Sequence, residues 1–220
     1  MRIDLILADT EVEALPSICG PAAAQPRVCL TTDRELRGIL VLDSYLHKAL
    51  LEGLEDSGRR GRPDIAHSFL VLTQNSPSVQ EERLRAFVHT RGDEVIRFGR
   101  KARIDQDYMA FLRMISDLFE KGSIGSGEER IEVERHMTLA ELLREIRPGL
   151  VVAMSPIGEK VELRTVLMES EAKEAAVIIG GFPEGDFRSP VHQLADRMVS
   201  LGDELLTVPD VTAQVLSSIP

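Results

Sequence analysis

Three arginines stand close together, Arg59, Arg60 and Arg62, and they are followed by Asp64 and His67. Guanidinium groups on a loop that a proline constrains are suited to bidentate contacts with phosphate oxygens. The same pattern is equally typical of an exposed loop in which Arg62 and Asp64 pair with each other. The segment therefore predicts either an anion-binding loop or a self-paired one, and the residues alone leave both open.

Two later loops offer backbone and apolar groups rather than reactive side chains. They are residues 178–187 and residues 199–209, and each follows an apolar run that is typical of a buried strand. Parallel sheets bind ligands at the carboxyl ends of their strands, where such glycine-containing loops lie. Taken singly, each loop is more typical of a tight turn, and neither matches a P-loop or a GxGxxG motif. Together they favour a cofactor-binding cradle, which residues 154–156 could close from a third side.

Metal chemistry is not predicted. Asp43 and His47 are four positions apart and could form an acid–base pair or two metal ligands, but no third ligand lies nearby in sequence. A polar pair that is hydrogen-bonded within the fold is the favoured interpretation. The two cysteines, Cys19 and Cys29, form no CxxC pair, so we expect reduced thiols and neither a zinc site nor a disulfide.

The charge distribution argues for one localised anion site. The net charge is −10, whereas residues 59–103 hold ten Lys and Arg against five acids. Such an acidic chain with a basic island would orient an anion rather than bind nucleic acid generically. A solvated basic face is the alternative. No apolar run is long enough to span a membrane, and we expect a soluble, cytoplasmic protein.

The elements that must position these residues alternate along the chain. Beside loops, the sequence predicts helices at 39–54, 107–120, 164–173 and 190–197, with others beginning at the capping box Thr138–Glu141 and at Pro209. It predicts strands at 2–8, 68–73, 150–154, 175–179 and 198–201, and a hairpin of 86–90 with 94–98. This order predicts an α/β fold with a parallel sheet covered on both faces. We expect one domain over residues 1–220, with an excursion at 121–136.

Three segments carry a resemblance to a known family. They are residues 62–67 (Arg-Pro-Asp-Ile-Ala-His), 179–187 (Ile-Gly-Gly-Phe-Pro-Glu-Gly-Asp-Phe) and 200–206 (Ser-Leu-Gly-Asp-Glu-Leu-Leu). In this order they resemble the archaeal branch of the ribosome-biogenesis methyltransferases of the SPOUT superfamily (the Nep/Emg group). The resemblance covers nearly the whole chain. It implies an S-adenosylmethionine-dependent enzyme that methylates N1 of a pseudouridine in small-subunit rRNA.

The resemblance also implies a fold, a partner and a set of site residues. A SPOUT-type sheet flanked by helices would carry a C-terminal trefoil knot, and the protein would be a homodimer without metal. Catalysis is expected at Arg62 and Asp64. The cofactor is expected at one set of positions: Met154, Gly180, Gly185, Leu201, Gly202, Asp203, Glu204, Leu205 and Leu206. Small-subunit rRNA is expected at another: Arg59, Arg60, Arg62, Arg100 and Arg103.

One departure from the family and two open questions accompany these expectations. Relatives carry arginines where this chain has Gln106 and Ala110, which shifts the expected RNA contact to Arg100, Lys101 or Arg113. Asp64 could orient Arg62 or accept the N1 proton, and the orienting role is favoured because an acid between arginines stays ionised. A tRNA pseudouridine methyltransferase, or an rRNA-binding assembly factor with dispensable catalysis, remain the alternatives.

Overall fold

An eight-stranded mixed sheet forms the centre of the molecule. The computed structural model describes residues 1–15, 39–202 and 204–219. The strands are β1 (Arg2–Thr10), β2 (Leu84–Thr90), β3 (Glu94–Phe98), β4 (Ser123–Ile124), β5 (Ile131–Arg135), β6 (Leu150–Lys160), β7 (Glu174–Gly180) and β8 (Arg197–Ser200). Their order across the sheet is β4-β5-β3-β2-β1-β7-β6-β8.

The prediction of a parallel sheet is confirmed for one part of this sheet and wrong for the other. Strands β2, β1, β7, β6 and β8 run parallel to their neighbours. Strand β3 is antiparallel to β2, as the predicted hairpin required, and β5 and β4 extend the antiparallel part. The short turn between β2 and β3 forces this reversal, since parallel strands need a long crossover connection.

Both faces of the sheet are buried, which explains why the central strands are apolar almost throughout. Along β1, Ile3, Leu5 and Leu7 pack on one face, whereas Ile6 and Ala8 pack on the other. Strand β7 alternates in the same way. Because successive side chains of a strand point to opposite faces, a strand buried on both sides shows no polar alternation.

Helices cover the two faces. They are α1 (Lys48–Leu51), α2 (Pro63–Gln74), α3 (Pro77–Gln80), α4 (Tyr108–Lys121), α5 (Leu139–Ile146), α6 (Leu163–Glu169), α7 (Val191–Leu194) and α8 (Val208–Ser218). Apolar residues of α2, α4, α6 and α8 join the core cluster of Leu5, and those of α5 and α7 join the cluster of Ile6. Helix α5 begins with the predicted capping box, in which Thr138 and Glu141 bond reciprocally.

Two predicted elements are wrong. The expected strand at 68–73 belongs to α2, whose buried Ile65, Ala66, Phe69 and Leu70 recur at helical spacing, and Pro63 occupies its first turn. A short apolar run cannot be assigned by periodicity alone. The expected helix at 39–54 is helical only at Lys48–Leu51. Its first residues lie extended, because Val41 pairs with Ala14.

Three further predictions concern the segment 121–136, the two cysteines and membrane-spanning helices. The segment 121–136, expected to be an excursion, contributes the edge strand β4, its neighbour β5 and a short 3-10 turn at Gly127–Glu129. Cys19 and Cys29 lie outside the described residues. Within residues 1–15, 39–202 and 204–219, no helix is long and apolar enough to cross a membrane.

Candidate functional site

A cleft opens beside the middle of β6 and the carboxyl ends of β7 and β8. It encloses about 260 Å³ and is formed by residues of β6 and by the two loops at the ends of β7 and β8. We call residues 180–187 the first glycine loop and residues 200–206 the second glycine loop. Residues 154–156 form the third wall, as predicted, and Val208 and Val211 of α8 close the cleft.

Most of the predicted cofactor residues meet in this cleft. Those that line it are Met154, Gly180, Gly185, Leu201, Glu204, Leu205 and Leu206. Gly202 lies in the second glycine loop without lining the cleft, and Asp203 lies outside the described residues. The sequence did not indicate Val208 and Val211, because they belong to a helix whose apolar face is also required for the core.

Backbone geometry explains two glycines of the first loop. Gly185 has φ +83°, a conformation that side chains with a Cβ rarely adopt. Gly181 lies against β1, where an added Cβ would stand 2.4 Å from the Oγ1 atom of Thr10 and 2.9 Å from its Cα atom. The loop therefore reaches its position only because these two side chains are missing.

The lining of the cleft is apolar and acidic. Among the described residues that form it there is no Lys, Arg or His, whereas Glu184, Asp186 and Glu204 contribute carboxylates. The backbone N–H of Phe187 bonds to Asp186 at 2.8 Å and is the main reason why the pKa of Asp186 is lowered. Apolar walls with ionised acids are suited to a ligand that combines a flat ring with a positive charge.

The arginine loop, residues 56–62, leads into α2. Here Arg62 donates from Nε and Nη2 to the two carboxylate oxygens of Asp64, both at 2.8 Å. This bond is the main reason why the pKa of Arg62 is raised. The side chains of Arg62 and Asp64 remain 34% and 47% exposed. The pair that the sequence left open therefore exists, and it leaves the Arg62 guanidinium oriented and accessible.

The two preceding arginines are engaged inside the protein. Arg59 donates to the buried Glu11 at 2.6 Å, and Arg60 donates to both oxygens of Glu13 at 2.9 and 2.6 Å. Their side chains are only 13% and 14% exposed. The predicted RNA contacts of Arg59 and Arg60 stay predictions, and the structure gives both guanidinium groups internal partners.

Asp43 and His47 form the hydrogen-bonded pair that the sequence favoured. The backbone N–H of Asp43 donates to Nδ1 of His47 at 3.0 Å, and the Asp43 carboxylate accepts the hydroxyl of Tyr108. Burial lowers the pKa of His47, so the imidazole is neutral. In the described part of the chain, no group of three or more His, Cys, Asp or Glu could hold a metal ion.

Two buried acids, Asp9 at the end of β1 and Glu11 directly after it, bond to residues beside the first glycine loop or to arginines near it, and they were not predicted. Asp9 accepts from the backbone N–H of Arg188 and from the N–H and hydroxyl of Ser189, at 2.7 to 2.8 Å. Glu11, which is fully buried, bonds to Arg59 and Arg91. The sequence carried a faint signal, since acids directly after a buried strand lie at its carboxyl end.

A second, larger cleft lies at the opposite end of the parallel strands, where β1 and β2 begin. It encloses about 690 Å³ between the amino ends of β1 and β2, the end of α2 and residues 98–104. Arg100 and Lys101 line it and pair with Glu82 and Glu128. Arg103 also lines it, and its exposed side chain has no ion-pair partner among the described residues. The predicted RNA-binding residues therefore lie in two groups, one at each end of the parallel strands.

Known proteins match this chain over its whole length. The model of the family described as EMG1/NEP1 methyltransferase matches residues 5–219. A "Ribosomal RNA small subunit methyltransferase Nep1" from Pyrococcus furiosus is 37% identical over 218 residues, which are 99% of this chain and 96% of the relative. Its counterpart from Methanothrix thermoacetophila is 34% identical over 97% of this chain and 93% of its own length. The crystal structure of Archaeoglobus fulgidus Nep1 bound to S-adenosylhomocysteine matches with a TM-score of 0.79 and 30% identity, covering 99% of this chain and 97% of that one.

Proposed function

The chain belongs to the EMG1/NEP1 methyltransferase family, and from this premise we propose that it methylates N1 of a pseudouridine in small-subunit rRNA. The methyl donor is S-adenosylmethionine, and the protein acts in the biogenesis of the small ribosomal subunit in the cytoplasm. One observation carries the proposal: β6 and the two glycine loops form a cleft with no basic residue among its described lining, and the arginine loop is bonded to one of its walls. The related structure with S-adenosylhomocysteine and the rRNA named for the relatives support the cofactor and the substrate class.

The residues of the cleft fit this cofactor. Leu201, Leu206 and Val211 offer apolar surface for the adenine ring, and the backbone of the two glycine loops offers hydrogen-bonding groups without side-chain obstruction. Glu184 and Asp186 place negative charge beside a cationic ligand. When bound, the cofactor supplies an electrophilic methyl group on a sulfonium.

Arg62 is the residue that meets the developing charge of the methyl acceptor. Transfer of the N1 proton to solvent water leaves an anion spread over the neighbouring carbonyl groups of the base, and a fixed guanidinium stabilises such an anion. The bidentate bond from Asp64 keeps Arg62 in one orientation. We therefore assign Asp64 the orienting role, since both of its carboxylate oxygens accept from Arg62.

The RNA would extend beyond the target base to cations that are free to bind phosphate. Among the described residues, exposed Arg103 has no ion-pair partner and Arg100 holds only a surface pair with Glu82. Surface pairs contribute about 0–1 kcal/mol, so Arg100 can exchange its partner for a phosphate. We propose RNA contacts at Arg62, Arg100 and Arg103, with Arg59 and Arg60 more remote.

We propose that the C-terminal part forms a trefoil knot. Val199 of β8 is registered opposite Met154 and also opposite Glu159, both in parallel orientation. A residue can face only one partner on each edge of its strand, and residues five apart in an extended chain are separated by about 16 Å. The two arms of β6 on either side of β8 support a threaded arrangement. The exposed Ile157 and Leu205 beside this region support a homodimer that covers them.

Calorimetry and substrate comparison test the proposed function. We expect S-adenosylhomocysteine to bind the purified protein at one site per chain, and its failure to bind would refute the methyltransferase assignment. Methyl transfer should then be measured on matched rRNA hairpins that contain pseudouridine or uridine, and on a tRNA. We expect transfer to the pseudouridine hairpin alone. Preferred methylation of tRNA would favour the tRNA enzyme, and tight rRNA binding without turnover would favour the assembly factor.

A further inference from the structure

The side chain of Arg59 connects the arginine loop to the first glycine loop. Its Nη1 atom donates to the backbone carbonyl of Asp186 at 2.7 Å and lies 3.5 Å from that of Glu184. Its guanidinium carbon lies 4.0 Å above the ring of Phe182. Phe182, Glu184 and Asp186 all line the cofactor cleft. Arg59 therefore contacts three residues of the cleft wall, although its own side chain does not line the cleft.

Glu11 holds Arg59 in this position. The carboxylate of Glu11 is fully buried and accepts from Nε of Arg59 at 2.6 Å and from Nη1 of Arg91 at 2.7 Å. Two charge-assisted hydrogen bonds to one buried carboxylate fix the direction of each guanidinium group. The Nε side of the Arg59 guanidinium is thus anchored by Glu11, which directly follows β1, and the Nη1 side contacts the first glycine loop.

Arg60, in the same loop, shows an alternative geometry, in which one acid takes two of the guanidinium nitrogens and Nη1 lies 3.5 Å from the backbone carbonyl of Glu55. It forms a bidentate pair with Glu13, with Nε and Nη2 on the two carboxylate oxygens. Arg59 makes only one bond to its acid, stacks one face on Phe182 and leaves Nη2 buried without a partner among the described residues. Arg59 therefore makes one fewer bond to its acid than Arg60 does, and contacts the first glycine loop instead.

We propose that Arg59 is a positioning residue that shapes the cofactor cleft through its contacts with residues 182–186. The inference rests on the proposed function. A loop with a glycine at positive φ has many conformations when unsupported, and Arg59 restricts two of its carbonyl groups and one of its rings. Preorganising a binding loop raises affinity because less order has to be imposed on binding. The cofactor, rather than the RNA, is therefore the ligand that depends on Arg59.

The experiment compares two arginines of one loop. Arg59→Met keeps an apolar stem over Phe182 but removes every donor, and Arg60→Met removes a guanidinium of the same burial that does not contact the first glycine loop. Affinity for S-adenosylhomocysteine is measured by calorimetry, and affinity for an rRNA hairpin by fluorescence anisotropy. We expect Arg59→Met to weaken cofactor binding about tenfold, equal to about 1.4 kcal/mol, with RNA affinity changed less than twofold. Arg60→Met should leave cofactor affinity unchanged.

A third variant separates positioning from general stability. Arg59→Lys keeps a cation beside Glu11 but cannot fork between the carboxylate and the loop carbonyls. We expect it to recover the melting temperature of the wild type while cofactor binding stays weakened, and to raise KM for the cofactor more than it lowers kcat.

The outcomes distinguish this inference from the proposed function. If the wild-type protein fails to bind S-adenosylhomocysteine, the proposed function itself is refuted. If the wild type binds and Arg59→Met binds equally well, only the positioning inference is overturned. It is likewise overturned if Arg59→Met weakens RNA binding while cofactor affinity is kept, because Arg59 would then be the RNA contact that the sequence predicted. Equal weakening of cofactor binding by Arg60→Met would reduce the effect to loss of stability and also overturn it.

Discussion

The cofactor cleft and the arginine loop are neighbours built on opposite physical plans. The cleft is lined by backbone, apolar side chains and acids, with no basic residue among its described lining. The arginine loop carries three guanidinium groups, and each of them has its own carboxylate: Glu11, Glu13 or Asp64. Under the proposed function, the cleft recognises the cofactor by shape and the arginine loop recognises the RNA by charge.

This difference predicts how each region responds to change. A cleft that depends on loop shape should be sensitive to added volume at glycine positions and insensitive to salt. A charged loop should be sensitive to the loss of single cations and to ionic strength.

The largest effect should follow from the loss of Arg62. Arg62→Met removes the guanidinium that we assign to the developing anion, and we expect kcat on the pseudouridine hairpin to fall about 10²–10³-fold. Binding of S-adenosylhomocysteine, measured by calorimetry, should stay within twofold. Arg164→Met, at an exposed arginine of α6, is the control and should keep wild-type turnover. A cofactor affinity that fell with kcat would erase the contrast between the two regions.

A methyl group at Gly181 should damage the cleft in the opposite way. The new Cβ of Gly181→Ala would stand 2.4 Å from Thr10 Oγ1, so the first glycine loop has to move. We expect cofactor affinity to fall at least about tenfold and stability by about 1–3 kcal/mol, as overpacking typically costs. Gly53→Ala is the control, because an added Cβ there has no atom within 4 Å. Unchanged calorimetry for Gly181→Ala would contradict the close packing on β1.

Replacement of Asp64 tests the orienting role. Asp64→Asn keeps the shape but weakens the charged bond that holds Arg62, so we expect kcat to fall about tenfold. The pH dependence of kcat, recorded at saturating cofactor, should keep the wild-type profile. Loss of the acidic limb of that profile in the variant would instead identify Asp64 as the proton acceptor.

Arg103, in the second cleft, offers a test of charge recognition. Because its exposed side chain has no ion-pair partner among the described residues, Arg103→Ala should remove one phosphate contact. We expect rRNA affinity to fall about fivefold and the slope of log K against log salt to decrease by about 0.7. Arg164→Ala should change neither, and cofactor binding should show no comparable slope. An unaltered salt slope for Arg103→Ala would place the RNA elsewhere.

The smallest effect concerns a buried histidine behind the cleft. Nδ1 of His89 accepts from the backbone of Asp9, and burial lowers the pKa of His89 against the opposing effects of Asp9 and Asp93. The unfolded chain therefore takes up a proton below pH 6.5, where the native imidazole stays neutral, and stability decreases as the pH falls. We expect the melting temperature of the wild type to decrease more between pH 7.5 and 5.5 than that of His89→Gln. Parallel curves would show that His89 is not the group that titrates.

Local features were predicted well because their causes lie within a few residues. The capping box at Thr138, the hairpin around Gly92 and the helix at 107–120 were correct, since hydrogen bonds and apolar spacing within one element determine them. The strand expected at 68–73 was wrong, because a run of four apolar residues fits a buried strand and a buried helix equally well.

The segments that form the cleft were predicted from the sequence, but the buried acids beside them were not. Both glycine loops were recognised because glycine and a preceding apolar run leave a local signal. The supporting acids left almost none: Glu11 lies 48 positions from Arg59, and Asp9 lies about 180 from Ser189. Partners separated so far in sequence meet only through the order of the strands.

By itself, the sequence determined the family, the alternating elements and the residue types available for chemistry, because these depend on composition and local spacing. Only the tertiary structure decided which arginine keeps a free face. Arg59, Arg60 and Arg62 are almost equivalent in the sequence, yet the end of β1 presents Glu11 and Glu13 to the first two and leaves Arg62 to Asp64. A buried acid captures the cation that the fold brings to it, and the position of β1 beside the arginine loop is a long-range property of the sheet.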